Sequence, residues 1–141
     1  MLNDWKIYAL GSALFAGLTA VLAKVGVKDI SSNAATLIRT FVILFFLVSL
    51  VWFRHEWQNP FTLSKKSLVF LVFSGFATGV SWLFYFKALQ MGPASLVSSL
   101  DKLSLVFAVI LSVMFLGEHL TLAQWGGALL MAIGAFLIAF K

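Results

Sequence analysis

The chain has 141 residues, of which 62% are hydrophobic, 16% are aromatic and only 11% are charged. Because a water-soluble domain is usually about half apolar and about a quarter charged, this composition excludes a soluble globule and indicates an integral membrane protein. Cysteine is absent, which excludes disulfides and thiolate metal sites, and the net charge of +5 comes from scattered basic residues, which argues against a nucleic-acid partner.

Five segments are long and apolar enough to cross a bilayer, which requires roughly 20 mostly apolar residues. They cover approximately residues 5–27, 34–53, 67–91, 94–116 and 122–140. An outer-membrane β-barrel is excluded, because residues 41–53 are almost continuously apolar and do not alternate with polar residues. The sequence therefore predicts an all-α membrane protein whose residues 1–141 form one domain of five transmembrane helices.

The boundaries between the spans carry turn and capping residues. Asn33 is the predicted N-cap of the second helix, and Thr121 with Gln124 predicts a capping box at the start of the fifth. Between the third and fourth spans, Gly92 suits the left-handed position after a helix and Pro93 the first helical position. Since the two prolines of the chain lie outside the spans, the five helices are predicted to be continuous.

Five charged residues lie inside spans, where each costs about 2.5–3.5 kcal/mol at mid-membrane and therefore needs a reason. They are Lys24, Arg39, Lys87, Asp101 and Lys102. Arg39 lies about six residues into the second span, and two interpretations are open. In the first, Arg39 binds an anion in a cavity. In the second, its side chain extends to the membrane interface and forms an ion pair that serves only the structure. Snorkelling is the simpler account of Lys87, near the end of the third span.

Asp101 is the only acid in the deeper part of any span. Because adjacent helical residues point about 100° apart, Asp101 and Lys102 are expected to find separate partners. Asp101 shares its helix face with Ser98 and several small residues, a stripe that permits close packing or lines a wet path. It is a candidate to carry a coupling proton, and the alternative is a permanent salt bridge to Lys24 or Arg39.

The third span carries a polar and aromatic face. Thr78, Trp82 and Tyr85 are predicted to line a binding pocket, although such a stripe also serves packing or an interfacial belt. In the fifth span, Gly126 and Gly134 share one face, which predicts a helix–helix contact within the chain or between subunits.

Signals of an enzyme are missing from the sequence. It has no phosphate-binding glycine loop, nucleophile elbow, zinc motif or paired catalytic carboxylates, so neither catalysis nor a metal or other cofactor is expected.

The segment from Tyr85 to Gly134 resembles the EamA-type domain of the drug/metabolite transporter superfamily. The Ala-Leu end of the third helix, the small residues that open the fourth, the Leu-Gly-Glu sequence ending at Glu118 and the glycine-rich fifth helix all match, as does Arg39. The resemblance implies one five-helix half of a ten-helix fold built from two repeats, in a protein of the inner cell membrane that exports or takes up small metabolites.

Two departures from the family pattern bear on the substrate. The fourth helix lacks the proline that typical members carry near Leu105, and the sequence there resembles a subgroup of short, single-repeat proteins. The related small multidrug transporters use a glutamate in the first helix for cations, whereas this chain has Lys24 and no acid in that apolar stretch. The net charge is +2 if the cavity is lined by Lys24, Arg39, Lys102 and Asp101, and such a charge favours an anionic or zwitterionic solute.

Two function classes follow. The first is a secondary transporter that uses alternating access, with substrate contacts from Lys24, Arg39, Asp101 and Lys102. The second is a scaffold or subunit of a larger membrane complex, whose charges pair with another protein. An intramembrane enzyme is a weaker third hypothesis, because the sequence has no catalytic constellation.

A single repeat supplies half of the implied cavity, so the expected unit is a homodimer surrounded by membrane lipid. Because five is an odd number of spans, a dimer that copies the family architecture is antiparallel. Loop charges are nearly balanced, as dual insertion requires. The N-terminal side carries Lys6, Arg54, Lys65 and Lys66, and the other side carries Lys28, Lys87 and Lys141, with Lys24 at its boundary.

Overall fold

The computed structural model describes residues 4–140. The described chain is helical, with α1 (Asp4–Gly26), α2 (Ser32–Phe53), a short 3₁₀ turn (Pro60–Thr62), α3 (Lys65–Met91), α4 (Ala94–Asp101), α5 (Leu103–Leu111), a π turn (Ser112–Leu116) and α6 (Leu122–Ala139). Because α4, α5 and the π turn follow one another as the span Ala94–Leu116, five spans are long and apolar enough to cross a membrane. The predicted all-α, five-span fold class is confirmed. Lys141, counted above among the loop charges, lies outside the described residues.

The apolar side chains of these helices face outward. In each span, no more than 11% of the most apolar window is buried inside the protein. Large hydrophobic residues such as Phe45, Phe53 and Phe84 are more than 70% exposed. Lipid is the environment that such a surface requires, because water would have to solvate thousands of square ångströms of hydrocarbon.

Local capping residues fix where the helices begin. The Ser31 side chain, and not that of Asn33, caps α2 by accepting a hydrogen bond from the Ala34 N–H at 3.3 Å, so the prediction for Asn33 was wrong by two residues. Ser31 has the extended backbone that an N-cap needs, whereas Asn33 is already helical. The capping box of Thr121 and Gln124 at α6 is confirmed.

The α3–α4 junction also differs in detail from the prediction. Pro93 is the N-cap of α4, one position before the first helical residue, with φ −59° and ψ 140°. Among the described glycines, only Gly117 has a positive φ, so Gly92 does not adopt the left-handed conformation expected of it.

Two compact units make up the described chain. One comprises the described residues of Met1–Lys24 and Met91–Lys141, and within it α6 packs against α4 and α5. The other is Val25–Gln90, whose core includes Val27, Phe86 and Leu89. In this second unit the Gln90 amide donates hydrogen bonds to the carbonyls of Ile30 at 2.6 Å and Val27 at 3.3 Å, which ties the end of α3 to the α1–α2 turn.

The fourth span is interrupted at Lys102, contrary to the expectation of continuous helices. The Lys102 N–H donates to the Ser99 carbonyl at 3.2 Å and the Leu105 N–H to the Lys102 carbonyl at 3.0 Å, so the backbone tightens to bonds three residues apart. One turn earlier, the hydroxyls of Ser98 and Ser99 both donate to the Ser95 carbonyl. Such bonding competes with the helix ladder and bends helices, and here it lies one turn before a break that has neither proline nor glycine.

Candidate functional site

Arg39 lies on an aromatic surface formed by α3. Its guanidinium carbon is 4.6 Å from the centroid of the Trp82 ring and 5.4 Å from that of Phe86. Both distances are within the range of cation–π attraction, which is strongest with tryptophan. The structure therefore brings together Arg39 and Trp82, two of the residues predicted to form the site.

The neighbours of Arg39 on α2 leave its hydrogen-bond donors unused. The Thr36 hydroxyl donates to the Ser32 carbonyl and the Thr40 hydroxyl to the Thr36 carbonyl, each at 2.8 Å, so both are satisfied within the helix. Among the described residues, the Arg39 guanidinium makes no salt bridge or hydrogen bond to another side chain. A half-buried cation therefore rests on ring faces while its N–H groups remain available to a ligand.

Tyr85 and Phe86 complete the aromatic surface. Their rings meet edge to face with centroids 6.3 Å apart, and Tyr85 also interacts electrostatically with Arg39. Phe86 is only 2% exposed and fixes the position of its neighbours. It was absent from the predicted site, although its position four residues after Trp82 puts both rings on one face of α3.

Thr78 belongs to the same helix face, one turn before Trp82. It is exposed, and its hydroxyl donates to the Ser74 carbonyl at 2.9 Å. A hydroxyl bonded in this way keeps its lone pairs as acceptors, so Thr78 remains able to accept a hydrogen bond.

In the other unit, Asp101 and Lys102 pair with each other. The Lys102 Nζ atom lies 3.7 Å from Asp101 Oδ2, and their side chains are 51% and 38% exposed. The expectation that these adjacent residues do not pair was wrong. It assumed an uninterrupted helix, whereas the break at Lys102 and the long lysine stem allow the ammonium to reach back.

Lys24 binds the junction that leads into α4. Its ammonium donates to the Gly92 carbonyl at 2.9 Å in a partly buried setting. This bond satisfies a carbonyl just beyond the C-terminus of α3, where cations are favourable. Lys24 therefore contacts the α3–α4 turn, and the substrate contact predicted for it stays a prediction.

The remaining predicted residues are Ser98, Gly126 and Gly134. The Ser98 hydroxyl donates to the Ser95 carbonyl at 3.3 Å. A Cβ atom added at Gly126 or Gly134 would meet no atom of the described chain within 4 Å. The glycine face of α6 is therefore not a close helix contact inside the described chain. Lys87 is exposed, as an interfacial lysine is.

Each unit offers charged groups that are able to bind a solute. In one unit, the guanidinium of Arg39 lies on the rings of Trp82 and Phe86 with its N–H donors free, an arrangement that we call the arginine seat. In the other unit, the fourth span has an ion pair at a helix break. In residues 4–140, no group of three or more histidine, cysteine, aspartate or glutamate side chains could hold a metal ion. Recognition of an anionic group is what the guanidinium can do chemically.

Three known proteins are similar to this chain in sequence. A Sinorhizobium protein named uncharacterized transporter in cobO 3' region is 50% identical over 139 residues, which are 99% of each chain. The uncharacterized transporter YvbV of Bacillus subtilis is 32% identical over 140 residues, which are 96% of this chain and 44% of that protein. The Methanocaldococcus jannaschii protein MJ1333.1 is 31% identical over 86 residues, which are 61% of this chain and 63% of that protein.

No solved structure matches the chain. The model of the EamA-like transporter family matches residues 4–140, which include every helix described above. With five membrane-spanning helices, an intramembrane arginine seat and this match over nearly its whole length, the chain belongs to the EamA-like transporter family, a family of multi-pass membrane proteins.

Proposed function

We propose that the protein is a secondary transporter of a small organic solute that carries a carboxylate, as an anion or a zwitterion. The observation that supports this most strongly is the Arg39 guanidinium, held on Trp82 and Phe86 with unused N–H donors. A cation inside an apolar span is costly unless it is paired, and a bound solute anion supplies the missing pair.

The stacking of Arg39 favours a carboxylate in particular. A guanidinium that lies on ring faces keeps its edge free, and two parallel N–H groups along that edge match the two oxygens of a carboxylate. The apolar rings next to it accept the hydrocarbon part of the solute, with Tyr85 and Thr78 as candidate hydrogen-bonding groups. A lysine in place of Arg39 keeps the charge but loses the planar fork.

Thermal stabilisation by solutes tests this function. The purified protein in nanodiscs is screened with small carboxylates and with their uncharged amides, and a ligand at 100 times its Kd adds about 2.7 kcal/mol of stability. We expect stabilisation by a carboxylate but not by its amide, and its loss in Arg39→Lys but not in the loop control Arg54→Lys. Equal stabilisation by acid and amide contradicts the proposal, and a protein that is stable only with another subunit favours a scaffold.

The ion pair at the break in α4–α5 is the proposed coupling element. Protonation of Asp101 removes its charge and releases Lys102, so proton binding alters the electrostatics at the point where the helix is already interrupted. Asp101→Asn is expected to abolish solute flux driven by a pH gradient while solute exchange persists. Equal loss of both activities points to a structural salt bridge instead. The candidate solute contacts in the same unit are Lys24, Ser98 and Lys102, and Lys24 also donates to the Gly92 carbonyl.

We infer that the working unit is an antiparallel homodimer in the inner cell membrane that operates by alternating access. The Sinorhizobium relative matches this chain over 99% of its length, whereas the chain covers 44% of YvbV, as one of two repeats would. A single repeat leaves the family's cavity half complete.

Topology reporters test the antiparallel arrangement. Two C-terminal fusions are compared, one active only on the inner side of the membrane and one only on the outer side. Comparable activity of both supports dual insertion, which the nearly balanced loop charges favour. Activity of one alone, unchanged when a lysine is added on either side, contradicts it.

A further inference from the structure

A groove between α5 and α6 is mostly apolar and has an acidic residue, Glu118, where the arginine seat has a cation. It has a volume of about 610 Å³ and lies within the unit that contains α4–α6. Its walls are formed by apolar side chains of both helices, among them Leu105, Val109 and Met131, and Gly127 leaves room where a side chain would stand. This volume is within the range of about 300–1,000 Å³ that is typical of small-molecule sites.

One end of the groove is polar. Glu118 and Gln124 lie there, in the loop that follows the fourth span and in the first turn of α6. Neither of the two salt bridges found among the described residues involves Glu118. Since both spans end at this loop, the polar end lies at the boundary between hydrocarbon and water, and the apolar part extends into the membrane.

The unused hydrogen-bonding groups at this end have opposite character. The Gln124 Oε1 atom accepts from the Thr121 N–H at 2.7 Å and from the Thr121 hydroxyl at 3.1 Å, and in the described chain its Nε2 group donates to no residue. The Glu118 carboxylate is an acceptor, and the Gln124 Nε2 group is a donor. No lysine, arginine or histidine is among the described residues that line the groove.

We propose that this groove binds one phospholipid with a primary ammonium headgroup, phosphatidylethanolamine. The ammonium pairs with the Glu118 carboxylate, the Gln124 amide donates to the phosphate, and one acyl chain lies along the groove towards Met131. Gln124 and Met131 are seven residues apart on α6, a rise of about 10 Å, which is most of the roughly 15 Å of hydrocarbon in one leaflet. Charge complementarity selects this lipid, because an anionic headgroup would meet Glu118 with no cation to offset it.

Lipid retention, measured on the purified full-length protein, tests the proposal without reference to any solute. The protein is equilibrated in detergent with equal amounts of phosphatidylethanolamine, phosphatidylcholine and phosphatidylglycerol, and bound lipids are counted by native mass spectrometry. We expect phosphatidylethanolamine to exceed phosphatidylglycerol by about tenfold, since hydrogen bonds to charged groups are worth about that factor. Phosphatidylcholine, whose quaternary ammonium has no N–H donor, should be intermediate.

Two variants and their controls separate the headgroup from the groove. Glu118→Gln should reduce the ratio of phosphatidylethanolamine to phosphatidylglycerol to nearly one, whereas Glu56→Gln in the α2–α3 loop should leave it unchanged. Gly127→Leu should fill the groove and lower the retention of every lipid, whereas Gly11→Leu on α1 should not. A Cβ atom added at either glycine meets no other atom of the described chain within 4 Å, so neither backbone position excludes a side chain.

Three results overturn the proposal. The first is a wild-type protein that retains the three lipids equally. The second is a Glu118→Gln variant with the wild-type ratio. The third is a Gly127→Leu variant whose lipid retention is unchanged while its dimer fraction falls, because a second copy of the chain then covers the groove. The comparison of the three lipids on the wild-type protein decides the question even where a variant fails to fold.

Discussion

The contact between Arg39 and Trp82 predicts a measurable coupling energy. A guanidinium within about 6 Å of an aromatic centroid is stabilised by about 0.5–1 kcal/mol at exposed sites and about 2 kcal/mol when desolvated. Since Arg39 is half-buried and lies 4.6 Å from the Trp82 ring, we expect a coupling of about 1–2 kcal/mol. Phe86, at 5.4 Å, still faces the guanidinium when Trp82 is replaced, so the coupling refers to the tryptophan alone.

A double-mutant cycle isolates this coupling from two effects that obscure the single substitutions. Arg39→Met removes a contact but also removes a charge that costs about 2.5–3.5 kcal/mol in the membrane. The sign of its effect on the free energy of unfolding therefore does not reveal the strength of the contact. Trp82→Leu loses buried ring area together with the cation contact. In the cycle, both effects cancel, because each occurs with and without the partner.

The assay is reversible unfolding in mixed micelles, with the free energy of unfolding extrapolated for the wild type, both single variants and the double variant. The control cycle pairs Arg39→Met with Trp52→Leu, which lies about 20 Å further along α2, and for this pair we expect additivity to within about 0.5 kcal/mol. A coupling between Arg39 and Trp82 no larger than that of the control would refute the interpretation of α3 as the seat of the guanidinium.

Three further predictions concern the framework around the site. His55 and Gly117 have positive φ values of 56° and 68°, a conformation in which a Cβ atom is unfavourable. His55→Gly should therefore raise the free energy of unfolding by about 0.5–1 kcal/mol, and Gly117→Ala should lower it by about 1 kcal/mol. The two variants should shift the melting temperature in opposite directions. Gln90→Leu removes two hydrogen bonds to the α1–α2 turn and should lower the free energy of unfolding by about 1–2 kcal/mol. An unchanged free energy of unfolding would mean that these bonds do not stabilise the turn. Gly126→Leu and Gly134→Leu should shift size-exclusion profiles towards monomer before solute binding weakens, and wild-type profiles for both would contradict a subunit contact on this face.

The fold class was predictable because hydrocarbon thickness imposes a strong pattern on sequence. Five long apolar runs, separated by short polar turns, leave few architectures open. The capping box at Thr121 was equally readable, since its two side chains and their spacing are fixed by local geometry. Ser31 and Asn33 are both good capping residues two positions apart, and only the backbone conformation of Ser31 separates them.

The details of the site were less predictable, because they depend on breaks and on long side chains. The interruption at Lys102 follows a turn in which two serine hydroxyls bond to one carbonyl, and no proline or glycine marks it in the sequence. That break in turn allows Lys102 to pair with its neighbour Asp101. Lys24 could be recognised as unusual from its position in a span, but its partner, the Gly92 carbonyl, is 68 residues away in the chain.

Solute counterflow in proteoliposomes tests the central proposal, carboxylate transport through Arg39, most directly. Vesicles are loaded with the carboxylate that stabilises the protein best, and uptake of the same labelled compound is followed in the wild type, Arg39→Lys and the loop control Arg54→Lys. We predict exchange by the wild type and by Arg54→Lys, and at least about a tenfold loss in Arg39→Lys, because a lysine cannot present two parallel donors. Exchange by Arg39→Lys at the wild-type rate would contradict the proposal.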